Sequence, residues 1–247
     1  MLIPQHGATF AVGVLIGFLG GLFGKGGSAV ATPLLKWIGL PGYTAVASPL
    51  PATLPSTLIA AIAYMRRQFV DWEIVTWGVL VGVPATIVGA FLSQKTGEEP
   101  LLILTAILIL VFGISFFFRL KTDVNNGISH RRFTTATIAI FVGFISGLLA
   151  NSGGLLLAPL YNRVLKLPLK TAFACSLLVS AALSIPGTAV HWYLGHISWS
   201  VAGLVALGSI PFAYAGAALA VRTRAARLER WYGMVLTFLG LFFLIHH

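Results

Sequence analysis

The residues best suited to chemistry in this chain sit in two glycine-rich breaks. The segment Gly17–Leu34 is matched 126 residues later by Gly143–Leu160, and each copy is interrupted near its middle. The first interruption is Gly24, Lys25, Gly26, Gly27 and Ser28; the second is Asn151, Ser152, Gly153 and Gly154. Glycine permits positive φ and lets a ligand touch the backbone. A helix restarting after such a break aims unpaired amides back at it, and their partial positive charge makes an anion site. Ser28 and Ser152 add hydroxyl donors and Asn151 an amide. Lys25 is a lone cation in an apolar segment, and burying it is costly without a partner. All six acids, Asp71, Glu73, Glu98, Glu99, Asp123 and Glu229, fall in loops or at helix ends. An anionic ligand is therefore the natural partner for Lys25, with a lysine snorkelling to an interface as the plainer reading. Its counterpart Asn151 is neutral, so the charge is unequal between the copies.

Four further side chains are candidates to line the same cavity: Ser48, Thr53, Cys175 and Ser176. Taken singly, each is more simply a hydroxyl or thiol bonded to its own helix. The prolines Pro49, Pro51 and Pro55 predict an unwound or kinked stretch, because each removes a helix hydrogen bond. Gly13, Gly17 and Gly21 fit close helix packing of the small-xxx-small kind. His191, beside Trp192, reads as an interfacial histidine more readily than as a proton relay. Catalytic residues are not expected: no Ser–His pair is placed for hydrolysis and no His/Asp/Glu cluster suits a metalloprotease. The run Gly20–Gly26 fails as a phosphate loop, since its first glycine would fall at Leu19 and no Ser or Thr follows Lys25. With Cys175 the sole cysteine, a thiolate metal cluster is very hard to build. No metal and no cofactor is expected.

The elements holding these residues are membrane helices. The 247 residues are 57% hydrophobic and 9% charged, far from the roughly 25% charge of soluble domains. Apolar runs of about 20 residues recur, each long enough to cross a hydrocarbon core, and none shows the alternation of a β-barrel. The formal charge of +10 sits in short loops, where it sets topology, so nucleic acid is not the expected partner. The partners are a lipid bilayer and a small anionic substrate, and a homo-oligomer is left open. Met1–Gly7 lacks a basic region, so the first apolar run is read as part of the fold.

The repeat continues past the breaks with a shift of 127: Pro41, Thr44, Trp72, Pro84 and Gly89 fall on Pro168, Thr171, Trp199, Pro211 and Gly216. Residues 1–118 form the first repeat, 119–132 a cytoplasmic linker and 133–247 the second repeat. Each repeat has a glycine-broken segment (8–38 and 134–165) and three helices, at 43–64, 72–93 and 99–118, then 169–194, 198–221 and 228–246. If the broken segments cross the membrane, Lys and Arg divide almost evenly between the faces. If they turn back, Arg66, Arg67, Arg119, Lys121, Arg131, Arg132, Arg163, Lys166, Lys170, Arg222, Arg224, Arg227 and Arg230 share one face, and only Lys36 and Lys95 lie opposite. Short basic loops stay in the cytoplasm, which favours re-entrant hairpins. The limbs Phe10–Phe23 and Ser28–Ile38, about 21 and 16 Å as helix, are also short for a crossing. The expectation is an all-α polytopic protein of two inverted repeats, with the hairpin turns facing each other near the midplane.

The paired breaks, the prolines Pro33 and Pro159 after them, and the small-residue segments Ala45–Ser48 and Ala172–Ser176 resemble the sulfite exporter TauE/SafE family over essentially the whole chain. The resemblance implies carriage of sulfite, sulfoacetate or a related organosulfur or carboxylated anion across a prokaryotic inner membrane. Lys25, Ser28, Asn151 and Ser152 depart from that family's glycine runs. The expected function is a secondary transporter working by alternating access around the facing hairpin tips. An anion channel with the same site, or a non-transporting structural protein, are the alternatives.

Overall fold

The structure is a computed structural model that describes residues 3–24, 28–96 and 131–245, with the helical positions 100, 103, 107, 110, 111 and 114. Regular structure among these residues is helical throughout. The first half contains α1 (Ile3–Phe23), α2 (Ser28–Trp37), α3 (Gly42–Ala47), α4 (Leu50–Met65) and α5 (Trp72–Thr96). The second contains α6 (Arg131–Leu148), α7 (Gly154–Arg163), α8 (Leu169–Tyr193), α9 (Trp199–Arg222) and α10 (Ala225–Ile245). By length and apolar composition, 5 segments among the described residues suit a membrane crossing: His6–Phe23, Gly42–Met65, Trp72–Ser93, Leu169–Tyr193 and Trp199–Arg222. The expected helix at 99–118 lies mostly outside the described residues. Its described positions Ile103, Ile107, Val111 and Ile114 are exposed, a stripe at helical spacing that suits lipid.

Hydrogen bonds define two ends of the bundle. At one, the Ser48 hydroxyl accepts from the Ser198 amide at 2.9 Å. At the other, Arg131 pairs with Asp71 and Arg132 with Glu73, and Lys170 Nζ donates to Val221 O at 2.8 Å. Tracing the chain between these marks, α4 runs from the Ser48 end to the Asp71 end, and α5 starts back. Helix α6 starts at the Asp71 end and so does α8, so α6 and α7 together leave that end and return to it.

The entry limbs of the two broken segments are longer than the apolar runs suggest. Helix α1 has 21 residues, about 31 Å, against 10 residues and about 15 Å for α2. The uncharged start Ile3–Thr9 continues the helix that the hydropathy reading begins at Phe10. Helix α6 (18 residues) and α7 (10 residues) repeat the inequality. The two turns pack at different levels of the bundle, not directly opposite each other. Gly24 lies against Phe173 near the Asp71 end, while Ala150 packs with Val46 and Ala47 near the Ser48 end. The proline run is less disrupted than predicted. Only Ser48 and Pro49 form a break between α3 and α4. Helix α4 restarts with a proline in its first turn, where no N–H is needed, and continues through Pro55.

The two halves exchange their first helices. Gly13, Gly17 and Gly21 on α1 lie against the backbones of Val205, Ser209 and Ala213 on α9. Gly143 and Gly147 on α6 lie against Gly82 and Thr86 on α5. These contacts match under the repeat, since Gly82 and Thr86 correspond to Ser209 and Ala213. Gly216 against Phe18 likewise matches Gly89 against Phe144. Residue numbers rise together along both interfaces, so each pair runs parallel. A lipid-soluble chain gains no hydrophobic drive from such contact; close backbone approach through glycine supplies the dispersion energy instead.

Candidate functional site

Helices α4 and α8 lie between the two exchanged pairs, and buried hydroxyls cluster on them and at the start of α4. Ser48, Thr53, Ser56, Thr57, Ser176, Ser180 and Ser184 are all buried. A cavity of about 10 Å³ opens beside α4, lined by Thr53, Ser56 and Thr57, by Gly17 and Gly21 of α1 and by Ser209 of α9. It has room for about one water molecule.

The expected cavity-lining set is not gathered in one place. Thr53 lines this cavity, and its hydroxyl donates to Pro49 O at 3.3 Å. Ser48 is at one end, bonded to Ser198, and Cys175 is at the other, where its sulfur accepts from the Asp71 amide at 3.3 Å. Ser48 and Ser198 correspond to Cys175 and Asp71 under the repeat, so these two side chains do one structural job twice. Each ties its helix to the loop entering α9 or α5. Ser176 donates to Gly24 O and anchors the first turn to α8. The reason is periodicity: a hydroxyl at a helix break finds a loose amide or carbonyl before it finds a cavity.

Of the first break, Gly24 is described; it is buried with φ +65°, a conformation that glycine adopts without strain. Lys25, Gly26 and Gly27, and the side chain of Ser28, lie outside the described residues. The second break is described in full. Gly153 caps α7 with φ +74°. Asn151 Oδ1 accepts from the Gly153 amide at 2.8 Å, and the Ser146 hydroxyl donates to Asn151 O. Asn151, Ser152, Gly153 and Gly154 are buried, and Asn151 braces its own turn. The two hairpins meet through Tyr232 of α10. Its ring stacks on Phe23 at 5.0 Å between centroids, and its hydroxyl donates to Leu155 O at 3.5 Å.

His191 lies near the end of α8 and is buried within the protein. It is 2% exposed, and its Nε2 bonds Gly147 O at 3.0 Å while Nδ1 faces His196 Nδ1 at 3.1 Å. A carbonyl only accepts, so Nε2 carries the proton, and Nδ1 then accepts from His196. Tyr64, which corresponds to His191, donates its hydroxyl to Gly21 O at 3.1 Å, and Gly21 corresponds to Gly147. The sequence signal for this pair was the alignment of the halves at a tyrosine and a histidine, which share no chemistry except the ability to donate one hydrogen bond.

Comparison with known proteins fits this architecture. The family described as "Sulfite exporter TauE/SafE" matches residues 9–243. A probable membrane transporter protein of Xylella fastidiosa (strain Temecula1) is 26% identical over 244 residues, covering 95% of this chain and 93% of its own length. The probable membrane transporter protein YunE of Bacillus subtilis is 24% identical over 234 residues, 84% of each chain. A probable membrane transporter protein of Methanocaldococcus jannaschii is 25% identical over 256 residues, covering 95% of this chain and 93% of its own. No solved structure matches. The matched stretch runs from the second turn of α1 to the last turn of α10 and so takes in both hairpins and the helices they exchange: this multi-pass membrane protein belongs to the sulfite exporter TauE/SafE family of membrane transporters.

Proposed function

We propose that the protein is a secondary transporter that moves a small anion, sulfite or an organosulfur or carboxylated relative, across the inner membrane by alternating access. The observation that carries this is the exchange of first helices through repeat-matched residues. Two halves clasped in this way can trade conformations, and each trade converts an opening on one side into one on the other. The halves are residues 1–118 and 133–247, joined by a cytoplasmic linker at 119–132, and they are inverted in the membrane. Two things support the inversion: α6 and α7 leave and return to the Asp71 end, and the basic loops gather there. Anion preference is supported by the excess of Lys and Arg over acids and by the glycine breaks, where Lys25, Gly26, Gly27, Ser28, Ser152 and Gly154 remain the candidate contacts. The function implied by the family's name comes to this chain as part of the same proposal.

The test is flux in proteoliposomes with sulfite, sulfate, thiosulfate, sulfoacetate and small carboxylates in turn. Uptake that saturates and exchanges with internal anion is expected for at least one of them. An ohmic current would mean a channel, and no flux for any anion would remove the transport reading.

A further inference from the structure

Helices α4 and α8 cross antiparallel at the centre of the molecule. A side chain built at Gly187 would meet Leu50 Cδ2 at 3.0 Å, and Ala60 and Leu177 line the same small cavity. These two contacts exchange under the repeat, because Leu50 corresponds to Leu177 and Ala60 to Gly187. Between them each helix presents the residues one and two turns on: Thr53 and Thr57 from α4, Ser180 and Ser184 from α8. The four hydroxyls therefore surround the pseudo-two-fold axis, all at 0–3% exposure. Helical serines and threonines ordinarily bond a carbonyl of the preceding turn, and three of these do. Thr53 donates to Pro49 O, Thr57 to Thr53 O at 2.7 Å, and Ser184 to Ala181 O at 2.7 Å. Ser180 Oγ alone among the four has no partner among the described residues. It is fully buried, it follows cavity-lining Leu177 by one turn, and its helical spacing puts it on the α8 face shared by Leu177 and Gly187, the face that meets α4. An unmade hydrogen bond at such a position is costly, and a passing ligand would satisfy it.

Resting on the transport reading above, we propose that Ser180 is a substrate-binding residue whose hydroxyl donates to the anion, in a seam that opens between α4 and α8. The hydroxyl proton of Ser180 is free to turn toward a negative charge, whereas the other three are engaged. The thiol-free background for testing it is Cys175→Ser, which places at 175 the residue that does the same job at 48.

Two measurements test the assignment. In proteoliposomes loaded with labelled sulfite, Ser180→Ala should raise the half-saturation concentration roughly 10–100-fold, the worth of one hydrogen bond to a charge. Ser180→Thr should stay near wild type, since the other half already carries Thr53 there. A merely structural serine predicts the reverse, unchanged affinity and equal or greater thermal stability once its unpaired hydroxyl is removed. Separately, Ser180→Cys in the Cys175→Ser background should react with the anionic reagent 2-sulfonatoethyl methanethiosulfonate. Ala139→Cys, equally buried but packed against Gly82 between α6 and α5, should not. Unchanged half-saturation in Ser180→Ala, or an inert thiol in Ser180→Cys, overturns the proposal. A reactive thiol in a Ser180→Cys protein that moves no sulfite removes sulfite transport and leaves the anion-accessible seam standing.

Discussion

Tyr64 and His191 hold equivalent carbonyls, Gly21 O and Gly147 O, with donors of different kinds. The tyrosine latch is insensitive to mild acid, whereas the histidine latch depends on which ring nitrogen carries the proton. His196 completes it by donating to His191, and its ring stacks on Tyr43 at 4.4 Å. His196 lies in the loop between α8 and α9, and burial lowers its affinity for a proton below the ordinary 6.5. With the folded value depressed, the neutral ring is the form the fold favours. Its stabilising contribution is complete above about pH 6.5 and is lost as pH falls toward the folded value. The thermal midpoint of purified protein should therefore fall on acidification below that point, and the fall should be shallower in His196→Gln. Parallel acid profiles for the two proteins would exclude the latch as a pH-sensitive part. Tyr64→Phe should cost about 1–2 kcal/mol by orphaning the Gly21 carbonyl, read as a lower thermal midpoint at all pH values. The sequence offered little warning of this pair. Its repeat alignment set Tyr64 opposite His191, but nothing in either residue type names a carbonyl as its target.

At the scale of helices, stability rests on how closely α1 approaches α9 and α6 approaches α5. Any side chain at Gly21 would fall on Ala213, and at Gly147 on Thr86, backbone against side-chain carbon in each case. Gly21→Leu and Gly147→Leu should each separate a helix pair and cost about 3 kcal/mol or more, the upper range for overpacking. Gly203→Ala, where nothing lies within 4 Å, should be neutral or slightly stabilising through helix propensity. Size-exclusion profiles and thermal midpoints in detergent would compare the three, and a well-behaved Gly21→Leu would contradict the packing role. The packing itself was legible, because Gly13, Gly17 and Gly21 recur at one helix face. Their partner was not, since spacing along one helix says nothing about a surface far away in the chain. The proline run misled for a local reason. Pro51 at the start of α4 sits where a helix already lacks a bonded N–H, so the chain breaks only at Ser48–Pro49. Likewise the first entry limb, expected at Phe10–Phe23, extends back to Ile3, because a helix start without charge leaves no mark in a hydropathy count.

Across the whole molecule, the arrangement of basic loops makes a topological prediction independent of any substrate. Single cysteines at Gln68 and Thr223, in the Cys175→Ser background, should label from one side of the membrane, and those at Lys95 and Gly195 from the other. Opposite labelling of Gln68 and Thr223 would remove the inverted arrangement. Driving force is a property of the same scale. Carriers driven by protons or sodium commonly keep a carboxylate inside the membrane, where binding biases one conformation. Here the described carboxylates Asp71 and Glu73 are held by Arg131 and Arg132 at one end of the bundle, and Glu229 lies in the first turns of α10. The remaining three acids, Glu98, Glu99 and Asp123, lie outside the described residues. The central seam is lined by hydroxyls, and three of its four are already turned into donors toward their own helices. A hydroxyl so engaged keeps lone pairs for a cation, yet no described carboxylate stands beside it to offset the cost of dehydrating sodium. Lys25, near the first turn in sequence, offers a fixed positive charge that an anion would neutralise on binding. The loaded carrier would then move with little net charge buried. Flux should accordingly follow the anion's own gradient, or protons carried with it, and should be unchanged when sodium is replaced by potassium on both sides of the vesicle. A saturable sodium requirement would mean that seam oxygens bind a cation after all, and that the two halves are biased by sodium and not by the anion.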